Sequence, residues 1–129
     1  MAAPAFINEH RAQLDSDPDD CQSLPFLDLS KHNCGWGTWQ DWIVASGNPA
    51  MQPDDTYFDN YVYLLEAAAA GKGIALGWQG LIEHHLQNGL LVQLVADYVS
   101  VDQGIYAILT ARGRGHPLAQ QFMDCLEAK

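Results

Sequence analysis

Three places in the 129-residue chain carry residue types that could do chemistry: the adjacent histidines of EHH at Glu83–His85, the near pair His32 and Cys34, and the glycines around an arginine at Gly113–Gly115. A metal on a helix needs ligands on one face, as an i, i+4 pair supplies. Consecutive helical residues point about 100° apart, so His84 and His85 diverge and EHH reads as solvated surface. His32 and Cys34 are close enough to share an ion, but two ligands without a second pair make no zinc-type site. Ser16, Ser23, Ser30, Ser46 and Ser100 sit in no G-x-S-x-G nucleophile elbow. GRG lacks the remainder of a phosphate-binding loop. The residue types therefore give no catalytic set, no metal site and no cofactor site, and the chain reads as a non-enzyme.

Composition narrows the field further. Sixteen acids against six Lys and Arg leave a net charge of -10, which repels phosphate backbones and anionic lipid and argues against direct nucleic-acid or membrane binding. With 48% hydrophobic residues the chain can bury one modest core, and its length suits a single domain. No apolar run has membrane-spanning length, and MAAPAFINEH lacks the basic start and apolar stretch of a signal peptide, so a cytoplasmic location is expected. Three cysteines, Cys21, Cys34 and Cys125, form no CxxC and suggest no disulfide framework.

The elements that would position any site are legible from their punctuation. Pro4 starts a helix through PAFINEHR; Pro18, with Asp19 and Asp20, starts another near Asp17 that Pro25 ends. Phe26–Leu29 has strand composition and KHNCGWG follows as a loop. Thr38 and Asp41 have capping-box spacing for a helix with Trp39, Trp42 and Ile43 on one face, stopped by Gly47. After the loop NPAMQPDD, the strand TYF (56–58) leads to a cap at Asp59 or Asn60 and the helix NYVYLLEAAAA, which Gly71 closes before the strand IAL (74–76). This is the βαβ unit of an open parallel sheet, in which ligands bind beyond the carboxyl ends of the strands. GLIEHHLQNG gives a short helix stopped by Gly89, IYAIL a further strand, and Pro117 an amphipathic helix with Leu118, Phe122, Cys125 and Leu126 on one stripe.

In this order PAFINEH, WGTWQDWIVASG, YFDNYVYLLEAAAAGKGIALGWQGLIEHHLQNGLLVQL and GIYAIL with its terminal helix resemble the second half of the effector-binding domain of LysR-type transcriptional regulators. The likeness is nearest to the branch of the glycine-cleavage and β-lactamase regulators. It implies an α/β fold, one lobe of a periplasmic-binding-protein-like (type 2) domain, with a mixed, mainly parallel sheet flanked by helices. It further implies one truncated domain over 1–129, second-lobe-like over 1–110 with a C-terminal loop and helix over 111–129, lacking the DNA-binding module and the first lobe. The terminal helix should then pack on the lobe or on another chain.

The resemblance also implies a small organic effector, often an anion, held between lobes by main-chain amides and side chains at helix starts and strand ends. Candidate contacts by position are Trp36 and Thr38, Phe58 and Asn60, and Gly77 and Trp78. Simple helix capping would account for Thr38 and Asn60, core packing for Trp39 and Trp42, and backbone punctuation for Gly71 and Gly73. Two roles follow: an effector-sensing module, or an interaction module that associates with itself or with a full-length regulator through its edge and tail.

Overall fold

The computed structural model of the chain describes residues 1–16, 21–30, 36–47, 54–100 and 106–128. The helix expected near Asp17, the pair His32 and Cys34, and the loop NPAMQP lie outside them.

Three parallel strands form the sheet: β1 (Pro25–Leu29), β2 (Asp54–Phe58) and β3 (Ile74–Ala75), in the order β2-β1-β3. β1 is registered Pro25 to Asp54 through Leu29 to Phe58 on one edge, and Phe26 to Ile74 and Leu27 to Ala75 on the other. Met1 and Ala2 run along the far edge of β3, where the Ala75 amide donates to the Met1 carbonyl at 2.8 Å. Ala2 then makes an isolated antiparallel bridge to Val92, outside the sheet, whose strands are all parallel. The buried Met1 amino group donates to the Ala75 carbonyl at 2.9 Å, and desolvation lowers its pKa to about 5.

A central strand in a parallel sheet must bury both faces, and the alternation along β1 does so. Leu27 and Leu29 join Leu64, Leu65, Ala68, Ala75, Ile82 and Leu91 in one cluster, while Phe26 joins Phe6, Leu24, Trp39, Ile43 and Ile74 in the other. Each face is covered by a crossover helix. α3 (Trp39–Ala45) links β1 to β2, and α4 (Tyr61–Ala69) links β2 to β3. α1 (Pro4–Glu9) and α2 (Arg11–Leu14) flank the α3 side through Phe6, Ile7 and Leu14. PAFINEHR is thus two helices, broken at His10, whose φ of -108° and ψ of 19° leave the helical region.

The helix punctuation has the geometry its residues imply. Thr38 and Asp41 make a reciprocal capping box on α3. The Asn60 side chain accepts from the Val62 amide at 2.8 Å to cap α4. At the other end Gly71 takes φ +77°, Lys72 N–H reaches the Ala67 carbonyl, and Gly71 N–H that of Ala68, the Schellman arrangement. Gly73 differs from Gly71: a side chain there would run into the Pro25 carbonyl and the Leu27 side chain, so it is small to let β3 enter beside β1. The helix expected in GLIEHHLQNG is shorter, α5 (Glu83–Gln87), and Gly89 ends it at φ +67°.

One expectation needs correction. Tyr106–Leu109 of IYAIL forms no strand; Tyr106 and Ile108 are 80% and 82% exposed. Strand composition without a neighbouring strand leaves the backbone unpaired. The terminal helix α6 (Pro117–Glu127) forms and buries no residue; among the described residues its main neighbouring element is the 3₁₀ turn Gly113–Gly115, so its stripe does not dock on the lobe. Leu118, Phe122 and Leu126 remain exposed. Among the described residues no helix is long and apolar enough to cross a membrane.

Among the described residues one polar side chain sits inside this apolar frame. Asp28 is 5% exposed; its Oδ1 accepts from the Leu29 amide at 2.8 Å and its Oδ2 from the Trp39 amide at 3.2 Å. Burial raises its pKa above the ordinary carboxyl value, although the two amide donors oppose the shift. Trp39 answers with its indole N–H, which donates to the Leu27 carbonyl at 2.9 Å. Asp28 thereby fastens the start of α3 to the end of β1. Asp28→Ala leaves both amides without their acceptor, and a loss of about 1–3 kcal/mol is expected. Urea unfolding with an unchanged m-value would check it; full stability in the variant would refute the clasp.

Candidate functional site

The parallel strands all point their carboxyl ends to one edge of the sheet, and the starts of α3 and α4 lie at that edge. Because β2 and β3 leave β1 on opposite sides, β1 is the point at which the strand order reverses, where α/β sheets open a crevice. A cavity of about 460 Å³ lies there. Leu29 ends β1 at its floor, Asp59, Asn60, Tyr61, Val62 and Leu65 come from the start of α4, Trp36 from the loop before α3, and Leu81 and His85 from the α5 region.

Tyr61 is the structural hinge of this wall. Its hydroxyl donates to the Leu76 carbonyl at 3.0 Å and accepts from the Trp78 amide at 3.1 Å. The first turn of α4 is thus tied to the exit of β3. Burial pushes the phenol's pKa up to about 12. Its ring stacks on Trp36 with centroids 5.0 Å apart and planes 28° from parallel. Trp78 meets Trp36 edge-on at 5.6 Å.

His85 closes the cavity. Its side chain is only 14% exposed, and Nε2 lies 4.0 Å from Oε1 of Glu66. Nδ1 is buried and has no hydrogen-bond partner among the described residues. The solvated-surface expectation for EHH therefore fits exposed His84 and fails for His85. The two rings stand nearly perpendicular, at 88°, with centroids 5.9 Å apart, so they do not converge on an ion. Among the described residues no group of three or more His, Cys, Asp or Glu could hold a metal.

Of the residues expected from sequence, Trp36 and Asn60 line this cavity and Trp78 backs Trp36. Thr38 caps α3 and does not line it; Phe58 packs against the α4-side core. Gly77 lines a different cavity of about 480 Å³ on the α3 side, with Trp39, Trp42, Leu14, Leu94 and Tyr98. That second space is slightly larger, but its charged lining residues, Arg11, Asp15 and Asp97, are solvent-exposed, and it holds no orphaned buried polar atom. The cavity at the strand ends is the candidate because it lies where the strand order reverses, beside the start of α4. Tyr61 and His85 were not singled out by sequence. Tyr61 could have been, since it directly follows the cap at the carboxyl edge; His85 carries no local signal.

Set against known proteins, residues 2–129 match the family described as LysR substrate binding domain. Among solved structures the chain is similar to an effector-binding domain from Citrobacter freundii bearing three amino-acid substitutions, with 25% identity and a TM-score of 0.53. The likeness covers 79% of this chain and 46% of that one, so the chain spans less than half of its length. No curated protein matches.

The Tyr61 bonds give a pH signature. A phenol whose folded pKa is raised from 10 to about 12 contributes stability that is whole below pH 10 and is lost as pH rises through about 12. Tyr61→Phe is expected to cost about 1–3 kcal/mol at neutral pH by orphaning the Leu76 carbonyl and the Trp78 amide. The gap between wild type and variant should shrink above pH 10. Unfolding curves at pH 7 and pH 11 check this, and an equal gap at both would refute it.

Proposed function

The chain belongs to the LysR substrate binding domain family, and from that membership we propose that it is a small-molecule effector-binding module, regulatory rather than catalytic. The observation that carries this is the cavity at the reversal of strand order, about 460 Å³, within the size range of small-ligand sites. Trp36, Asn60, Tyr61 and His85 are the contact residues of this proposal, with Trp78 as support; Thr38, Phe58 and Gly77 act on the frame. Residues 1–110 correspond to the second lobe of the family's effector domain and 111–129 to its terminal loop and helix, in the glycine-cleavage and β-lactamase regulator branch. The overlap with 46% of the Citrobacter domain supports a single-lobe correspondence. An anionic effector, as the resemblance implies, would have to draw on the first-turn amides of α4, because no Lys or Arg is among the described lining residues.

Association is the second part of the proposal. The stripe Leu118, Phe122 and Leu126 on α6 is exposed, and an amphipathic helix whose apolar stripe meets no surface among the described residues is read as an interaction element. A second copy of the chain is its proposed cover.

Two outcomes test these proposals. A thermal-shift screen of organic anions, cations and neutral compounds should find one class that raises Tm with concentration, since a ligand at 100 times Kd stabilises by about 2.7 kcal/mol; a flat response to every class would reject effector binding. Deletion from His116 onward should convert an associating chain to a monomer in sedimentation while Tm stays within a few degrees. A full chain that is monomeric, or a truncation that unfolds, contradicts the assignment of α6.

A further inference from the structure

Two apolar surfaces of the chain are exposed, and each has the shape the other lacks. The first is the stripe of α6, formed by Leu118, Phe122 and Leu126. The second is the groove of about 480 Å³ on the α3 side. Ile7, Leu14, Trp42 and Leu94 are half-buried along it, and Val95 and Tyr98, 48% and 58% exposed, stand at its edge. An apolar groove takes an amphipathic helix through side chains that recur on one helical face, the spacing that Leu118, Phe122 and Leu126 have.

Charge and size single out the occupant. Asp15 and Asp97 lie exposed on the groove's lining, with Arg11 as the one cation among the described lining residues. Arg112 and Arg114, also exposed, lead into α6. The same contrast runs through the whole chain: residues 1–110 hold fourteen of the sixteen acids and three of the six Lys and Arg, whereas residues 111–129 hold three cations and two acids. The tail is therefore drawn to an acidic body. Two α6 helices meeting stripe to stripe would use only three apolar side chains each, little against the roughly 1,200 Å² that a stable interface buries. An exchange in which each helix enters the other copy's groove uses two helices and two grooves. Resting on the proposal that a second copy covers α6, we infer that its seat is the α3-side groove of that copy, each copy giving one helix and receiving one, with Arg112 and Arg114 facing Asp15 and Asp97.

Sedimentation velocity of the full chain, with circular dichroism to confirm folding, tests this. Val95→Asp combined with Tyr98→Asp alters only side chains that are already exposed, and should raise the dimer Kd at least about tenfold. Phe122→Asp should do the same, while Tyr63→Asp, on α4 and 69% exposed, should leave the dimer unchanged. A charge exchange reads the pairing directly. Asp15→Arg with Asp97→Arg makes the rim cationic, and Arg112→Asp with Arg114→Asp makes the arm acidic. Each of these two variants should be monomeric alone, because its rim and arm repel, and an equal mixture should form a heterodimer in which both seats join opposite charges. If the groove variant dimerises like wild type while Phe122→Asp does not, α6 pairs elsewhere; the inference falls and the association reading stands. A mixture that stays monomeric likewise overturns the inference, and a monomeric wild-type chain removes both.

Discussion

The fold depends on the complete burial of β1. It has a parallel neighbour on each edge and a helix on each face, and Phe26, Leu27, Asp28 and Leu29 are all buried. Full burial is a severe condition for a polar residue, because a carboxyl taken from water without partners costs several kcal/mol (roughly). Asp28 meets it by accepting from the Leu29 and Trp39 amides. The same bonds fix where α3 starts, and with it the direction in which the chain leaves β1. The order β2-β1-β3 then sends α3 and α4 to opposite faces and opens the crevice at their starts.

Much of this frame is legible in the sequence because its signals are local. Pro4, Thr38 with Asp41, Asn60, Gly71, Gly89 and Pro117 each act within a turn of their own position, and each has the start, cap or stop its type implies. The unit β2-α4-β3 follows from the same signals. Strand order does not, since nothing in the βαβ pattern says that β1 slips between the two strands. Gly73 shows the same limit. Its type suggests backbone freedom, whereas its reason is the approach of the Pro25 carbonyl from a strand distant in sequence.

The candidate site was half legible. Position at a strand end or helix start singles out Trp36 and Asn60, which border the cavity, and Trp78 just behind it. The same rule also picks Thr38, Phe58 and Gly77, because it knows the edge of the sheet but not which face of it is hollow. His85 was hidden for a different reason. Its neighbour His84 is exposed and the segment is polar, so only the packing of α5 against Glu66 and the α4 side turns one imidazole inward. The misjudged strand at Tyr106–Leu109 has a related cause: a β-branched, aromatic composition states a preference, and pairing requires an edge to receive it.

The two bonds of the Tyr61 hydroxyl have a mechanical meaning. They join the first turn of α4 to Leu76 and Trp78, residues 15 and 17 positions further along the chain. The cavity wall and the exit of β3 are consequently joined by a crossbar one oxygen wide. The Tyr61 ring is thereby held against Trp78 through its hydroxyl and against Trp36, in the loop that leads into α3, through its stacked face. One side chain thus joins the start of one crossover helix to the segment that precedes the other.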